Sequence, residues 1–260
     1  MAERSPIRLE RDGDVASIVL DNPPLNLFGA GTFEGLVAAI TEIERSDARA
    51  VVWRAEGETF SGGVDVHHFQ HLSAEAGSEM MGRMLATVRR LEALPLPTLA
   101  LVQGLCLTAG LEVALGCDMI WATDSAKFGL VEAVVGITPG AGGTQRFAER
   151  AGSARAREFV MTGGLYEAAT LERWNVINRV VGDDELLQKG MRFAHRLAAG
   201  PTLAHAATKR ILRAYLEGGV DRADRLTPET LGALFASEDT KAAVESFLED
   251  GPGKATFEGR

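Results

Sequence analysis

Gly104-Leu105-Cys106-Leu107-Thr108-Ala109-Gly110-Leu111-Glu112-Val113-Ala114-Leu115-Gly116-Cys117-Asp118 is the stretch on which the reading of this chain turns. Gly104 and Gly110 bracket a turn, and Leu111 to Leu115 begins a helix that carries one acid, Glu112. A carboxylate in a mostly apolar run is costly to desolvate, so it has either a partner or a job. The arrangement recurs downstream. Phe128-Gly129-Leu130-Val131-Glu132 is followed by Gly136-Ile137-Thr138-Pro139-Gly140-Ala141-Gly142-Gly143-Thr144-Gln145-Arg146. A third Gly-rich segment, Phe60-Ser61-Gly62-Gly63-Val64-Asp65, lies upstream. Two acids, each beside glycines that let backbone approach a ligand, point to acid/base chemistry on a small molecule.

The regions around these segments alternate between strand and helix signals. Ile7-Arg8-Leu9-Glu10 and Val15-Ala16-Ser17-Ile18-Val19-Leu20 alternate about Asp12-Gly13, the signal of a hairpin. Phe33, Leu36, Val37, Ile40 and Ile43 form one apolar face of a helix over residues 32–44. Ala50-Val51-Val52-Trp53 reads as a short buried strand, residues 79–94 as a helix and 98–102 as a strand. Pro95 and Pro97 end that helix. After Gly143 helical patterns cover 154–162, 183–199, 201–217 and 237–248, with Val176-Ile177-Asn178-Arg179-Val180-Val181 as the main strand-like exception. The expectation is an α/β core followed by a helical extension.

The 260 residues are enough for one large domain with a sizeable core, and 46% hydrophobic with 24% charged content is ordinary for a soluble globular protein. Met1-Ala2-Glu3-Arg4-Ser5-Pro6 contains no apolar signal-peptide core, and no apolar run approaches the roughly 20 residues of a membrane span. Cys106 and Cys117 lack CxxC spacing and read as buried reduced thiols. A cytoplasmic protein with no membrane partner follows as the expectation. The net charge of −9 argues against a nucleic-acid partner, which calls for a basic face.

In order and spacing, the three Gly-rich motifs resemble the enoyl-CoA hydratase/isomerase (crotonase) family, and the resemblance runs from Leu20-Asp21-Asn22-Pro23-Pro24 to about Arg210. The resemblance implies a spiral of ββα units over residues 1–195 and a C-terminal helical region over 196–260, assembled as a homotrimer or a dimer of trimers. It implies an enoyl-CoA hydratase, a hydro-lyase that converts 2-enoyl-CoA to 3-hydroxyacyl-CoA. The acyl-CoA is then the substrate, and no metal or redox cofactor is called for. Glu132 falls at the family's main proton donor and Glu112 at the residue that holds and activates the water. The backbone N–H groups of Val64 and Ala109 fall at the oxyanion hole, and the helix after Ala109 adds its positive dipole end. The family more often has Ala and Gly at these two positions, so Val64 and Thr108-Ala109 narrow the space around the carbonyl. Gly140 falls where backbone helps to position the water. Val64, Asp65, Val66, His67 and Ala109 fall where the pantetheine or acyl part is contacted, although Asp65 equally fits a cap for the following helix. An isomerase, another crotonase-type reaction and a non-catalytic acyl-CoA-binding protein are the alternatives. Retention of both acids favours hydration over isomerisation.

The remaining features have plainer readings. Residues 136–146 lack the Gly-Lys-Ser/Thr of a P-loop, and Gln145 stands where a dinucleotide fingerprint needs its last Gly. His67 and His71 would share a helix face, but no further ligand is obvious nearby and no metal site is expected. Family members commonly end with a basic cluster before a final Phe. In Phe247-Leu248-Glu249-Asp250-Gly251-Pro252-Gly253-Lys254-Ala255-Thr256-Phe257 the one base is Lys254. Lys254 and Lys209, with Arg210 beside it, are the candidates for the coenzyme A phosphates.

Overall fold

A computed structural model describes residues 5–260. The first four residues of the expected core, which carry most of the signal-peptide reading, lie outside the described residues. The hairpin forms as expected: β1 (Ile7–Asp12) pairs antiparallel with β2 (Val15–Leu20), from Ile7 opposite Leu20 to Asp12 opposite Val15. Gly13, at φ 55, takes the left-handed conformation that the two-residue turn requires. From β2 the chain passes through α1 (Ala30–Glu44) to β3 (Ala50–Ala55), which lies parallel to β2. Then α2 (Ala74–Ala93) leads to β4 (Thr98–Val102), parallel to β3. Leu94 caps α2 just before Pro95, and Ser73 starts it by accepting a hydrogen bond from the Ala76 amide. The helix therefore begins at Ala74, five residues before the expected 79, because a serine cap rather than an apolar stripe sets its start.

Gln103-Gly104 turn the chain out of the first sheet into β5 (Leu105–Leu107). α3 (Thr108–Leu115) then returns it to β6 (Met119–Thr123), and β7 (Lys127–Gly129) leaves again. After α4 (Gly143–Ala151) and α5 (Ser153–Thr162) come β8 (Tyr166–Glu167), α6 (Ala168–Arg173) and β9 (Arg179–Val181). One sheet has the order β1-β2-β3-β4-β6-β9 and the other β5-β7-β8. The chain thus shuttles between two sheets with helices as crossovers, the ββα spiral. The strand-like signal over 176–181 shortens to β9.

Both faces of the larger sheet are covered at its centre, where β2, β3 and β4 are buried along almost their whole length, while the edge strands β1 and β9 are partly exposed. Val51 and Trp53 of β3 face the main core with Phe28, Phe60, Phe128 and Phe147. Ala50 and Val52 face a second cluster with Leu99, Leu101 and Trp121 under α7 (Leu186–Ala198). Trp53 meets Phe60 edge-on, with centroids 5.9 Å apart. The C-terminal region is helical from Thr202 to Ala236 (α8) and Glu238 to Asp250 (α9). α8 is broken at Gly218 and Gly219, where φ reaches 71. The helix after this break, over 220–236, is an addition to the sequence reading. Arg49 ties the region to the core, donating to the carbonyls of Ala198, Gly200 and Phe257. Among the described residues no helix is long and apolar enough to cross a membrane. Cys106 and Cys117 are buried and free, and burial pushes the Cys117 thiol up to about 12.

Candidate active site

Glu112 lies in α3, every residue of which from Ala109 to Leu115 is buried. Arg150 secures the far end of that helix by donating to the carbonyls of Leu115 and Cys117. The Glu112 side chain is 2% exposed, and its Oε1 accepts the amides of Ala141 at 2.8 Å and Gly143 at 2.9 Å. Those amides lie at the start of α4, where Gly142 (φ 99) turns the chain so that the helix N-terminus faces the carboxylate. A Cβ at Gly143 would stand 2.8 Å from Glu112 Cγ, which is why this position has no side chain. Burial pushes the Glu112 carboxyl up, while the Gly143 and Ala141 amides and the Arg146 charge pull it down. Buried Arg146 bridges both oxygens of Glu92 and the Gly142 carbonyl, holding the turn in place.

Glu132 opens a 3₁₀ turn, Glu132–Val135, just beyond β7. It is 7% exposed, not the solvated loop acid that its neighbourhood of glycines also allows. Burial, with the Glu112 charge adding to it, raises its carboxyl to about 7. Its Oε2 is buried and has no hydrogen-bond partner among the described residues. The two acids differ accordingly: Glu112 is anchored by the Ala141 and Gly143 amides, whereas Glu132 keeps one buried oxygen without a partner.

The other two motifs pack on each other beside this pair. Ser61 bridges to Cys106, and Val64 to Phe28. Gly110 leaves room for Ser61, since a Cβ there would lie 2.5 Å from the Ser61 Cβ. Ala109 is fully buried in the first turn of α3, where an amide has no carbonyl four residues back to bond. Val64 departs from expectation. Its N–H is not open but donates to Thr108 Oγ1 at 3.0 Å, because Thr108 carries a hydroxyl where a glycine would carry nothing.

Next to this site is a cavity of about 980 Å³ lined by Val66, Phe69, Leu72, Met80, Met81 and Ile137, with Gly140 in its wall. Of the substrate-contact candidates, Val66 lines this cavity. Asp65 and His67 pair with each other, Asp65 Oδ1 to His67 Nδ1 at 2.6 Å, and Asp65 also accepts the His67 amide as the cap of the turn Val66–Phe69. That turn ends at Phe69, so His67 and His71 do not share a helix face. Among the described residues no three His, Cys, Asp or Glu side chains are grouped to hold a metal. Lys209 is engaged elsewhere: its Nζ donates to Asp118 and to the Leu96 carbonyl, both of which a phosphate would have to displace. Lys254 is exposed. Sequence reasoning missed the Ala141 and Gly143 amides, the Arg146–Glu92 bridge and the two methionines. The Gly-rich entry to a helix was the available sign of the first.

The fold is that of the crotonases. The chain belongs to the enoyl-CoA hydratase/isomerase family, whose model matches residues 10–260. It is 31% identical to the short-chain-enoyl-CoA hydratase of Clostridium acetobutylicum over 250 residues, covering 95% of this chain and 96% of that one. It is 30% identical to the crotonyl-CoA hydratase of Syntrophomonas wolfei over 246 residues, covering 94% and 95%. The enoyl-CoA hydratase of Bacillus anthracis superposes with a TM-score of 0.92 at 25% identity, over 98% of this chain and 100% of that one.

Proposed function

We propose that the protein hydrates 2-enoyl-CoA to 3-hydroxyacyl-CoA with Glu112 and Glu132 as the acid/base pair. The observation that carries this reading is the contrast between the two buried carboxyls. One is fixed on the Ala141 and Gly143 amides, and the other, raised to about 7, has a buried oxygen without a partner. In the proposed reaction a water sits between them. Glu112 takes one of its protons as the oxygen bonds to the β-carbon, and Glu132 delivers its own proton to the α-carbon. Charge that develops on the thioester oxygen meets donors at the α3 N-terminus. The carboxyls end with exchanged protonation and re-equilibrate with solvent, so this route needs no metal or redox cofactor. Both carboxyls are used, whereas a double-bond shift needs one, and a protein that merely bound acyl-CoA would gain nothing from burying them.

The acyl chain is assigned to the cavity lined by Met80 and Met81, thioether side chains that adapt to varied apolar shapes. Exposed apolar residues on the C-terminal helices, including Phe235 and Leu248, support assembly through this region as a homotrimer or a dimer of trimers. Two buried, unpaired thiols fit a reducing, cytoplasmic setting. The test is loss of the conjugated-enoyl absorbance when the protein is mixed with crotonyl-CoA and longer 2-enoyl-CoA esters. Wild-type turnover that persists in both Glu132→Gln and Glu112→Gln would overturn these roles.

A further inference from the structure

The Thr108 hydroxyl lies on an amide that the thioester oxygen was expected to use. Thr108 opens α3 with φ at 43, a left-handed conformation that is uncommon for a β-branched residue. Its Oγ1 accepts the Val64 N–H at 3.0 Å. The space for it comes from Gly63, at φ 97, where a Cβ would stand 1.9 Å from that oxygen. A second residue is thus shaped around this hydroxyl. Having accepted the Val64 N–H, it still carries a proton, and among the described residues no hydrogen bond uses that proton. The next amide along the chain is that of Ala109, in the first turn of the helix.

We propose that Thr108 supplies one of the two hydrogen bonds of the oxyanion hole through its hydroxyl, beside the Ala109 N–H, with the Val64 N–H behind it. The Val64 amide then acts through Thr108 rather than touching the substrate. The hydroxyl keeps its proton throughout, and hydrogen bonding from Val64 polarises the O–H so that it donates more strongly to a developing oxyanion. The inference rests on the acyl-thioester reading above and changes which atom does the holding.

Three variants test it. Thr108→Val keeps shape and branching but removes the proton, and is expected to lower kcat by about 10²–10³, the loss typical of one oxyanion donor. Thr108→Ser is expected to stay within about fivefold of wild type. Thr108→Ala removes the hydroxyl donor and uncovers the Val64 amide, and is expected to lose at least about tenfold. A second readout separates hole from fold: binding of a 3-ketoacyl-CoA, whose enolate absorbs in the near ultraviolet. The bound enolate fraction is expected to fall in Thr108→Val and Thr108→Ala and to hold in Thr108→Ser. Unchanged kcat and unchanged enolate in Thr108→Val would overturn the proposal. So would faster turnover in Thr108→Ala, which would make the hydroxyl an obstruction. Wild-type protein that hydrates no 2-enoyl-CoA overturns the hydratase reading instead, while the enolate measurement still decides the role of Thr108.

Discussion

Replacing Glu132 by Gln removes a proton site while keeping the size and shape of the side chain. The folded chain holds this carboxyl at about 7 against an ordinary value of 4.5. A folded-state value above the unfolded one means that the folded chain binds the proton more tightly. Stability is therefore fully present below about 4.5, declines as pH rises towards about 7, and stays reduced above. At about 1.36 kcal/mol per unit, the rise from 4.5 to about 7 corresponds to about 3 kcal/mol. Glu132→Gln is expected to lie within about 1 kcal/mol of wild type near pH 5 and to be about 3 kcal/mol more stable near pH 8. In thermal melts at fixed protein concentration, the gain near pH 8 corresponds to about 6–12 °C for a chain of this size. The same variant is expected to lose about 10²–10⁴ of its hydration rate. A stability gap that does not widen with pH, or that opens towards acid, would refute the account of a carboxyl held against its solvation.

Three further outcomes follow from the same geometry. Hydration kcat/KM is expected to fall as pH rises through about 7, because the free enzyme needs Glu132 protonated; a flat profile to about pH 9 would contradict this. Gly143→Ala places a methyl 2.8 Å from Glu112 Cγ. Displacing that carboxylate by even part of an ångström is expected to lower kcat by about 10–100-fold with KM little changed, as steady-state kinetics would show. Phe235→Glu puts a charge on the exposed apolar face of α8, where Phe235 is 68% exposed. Sedimentation is expected to show wild type as a trimer or larger and the variant shifted to smaller mass, and equal mass for the two would count against assembly through this face.

The legible parts of the fold were those whose signal is local. The Asp12-Gly13 hairpin and α1 were readable because a turn dipeptide and a run of apolar residues at helical spacing lie within a few positions of one another. Elements set by distant partners were not. The first turn of α2 has Ala74, Glu75 and Ala76 exposed, with the Ser73 cap in place of any apolar stripe. β6 is short and lies between Asp118 and Asp124, and it becomes a strand by pairing with β4 and β9. The helix after Gly219 begins at a glycine pair and contains Pro228, two marks that normally argue against continuing a helix.

The site divides along the same line. The carboxylates could be read because an acid in an apolar run is conspicuous and unfavourable without a reason. The groups that hold Glu112 could not, because a backbone N–H belongs to every residue except proline and carries no side-chain signature. Ala141 and Gly143 became donors through the turn at Gly142, and Val64 lost its place as an open donor through the fold of another segment. Thr108 shows the limit most clearly. From sequence it counted as added bulk near a carbonyl, whereas its placement on the Val64 amide makes it a polar group with a proton to give. Bulk narrows a pocket and acts on substrate choice. A directed hydroxyl acts on the charge of the transition state, so the Thr108→Val and Thr108→Ser pair separates a change in KM from a change in kcat.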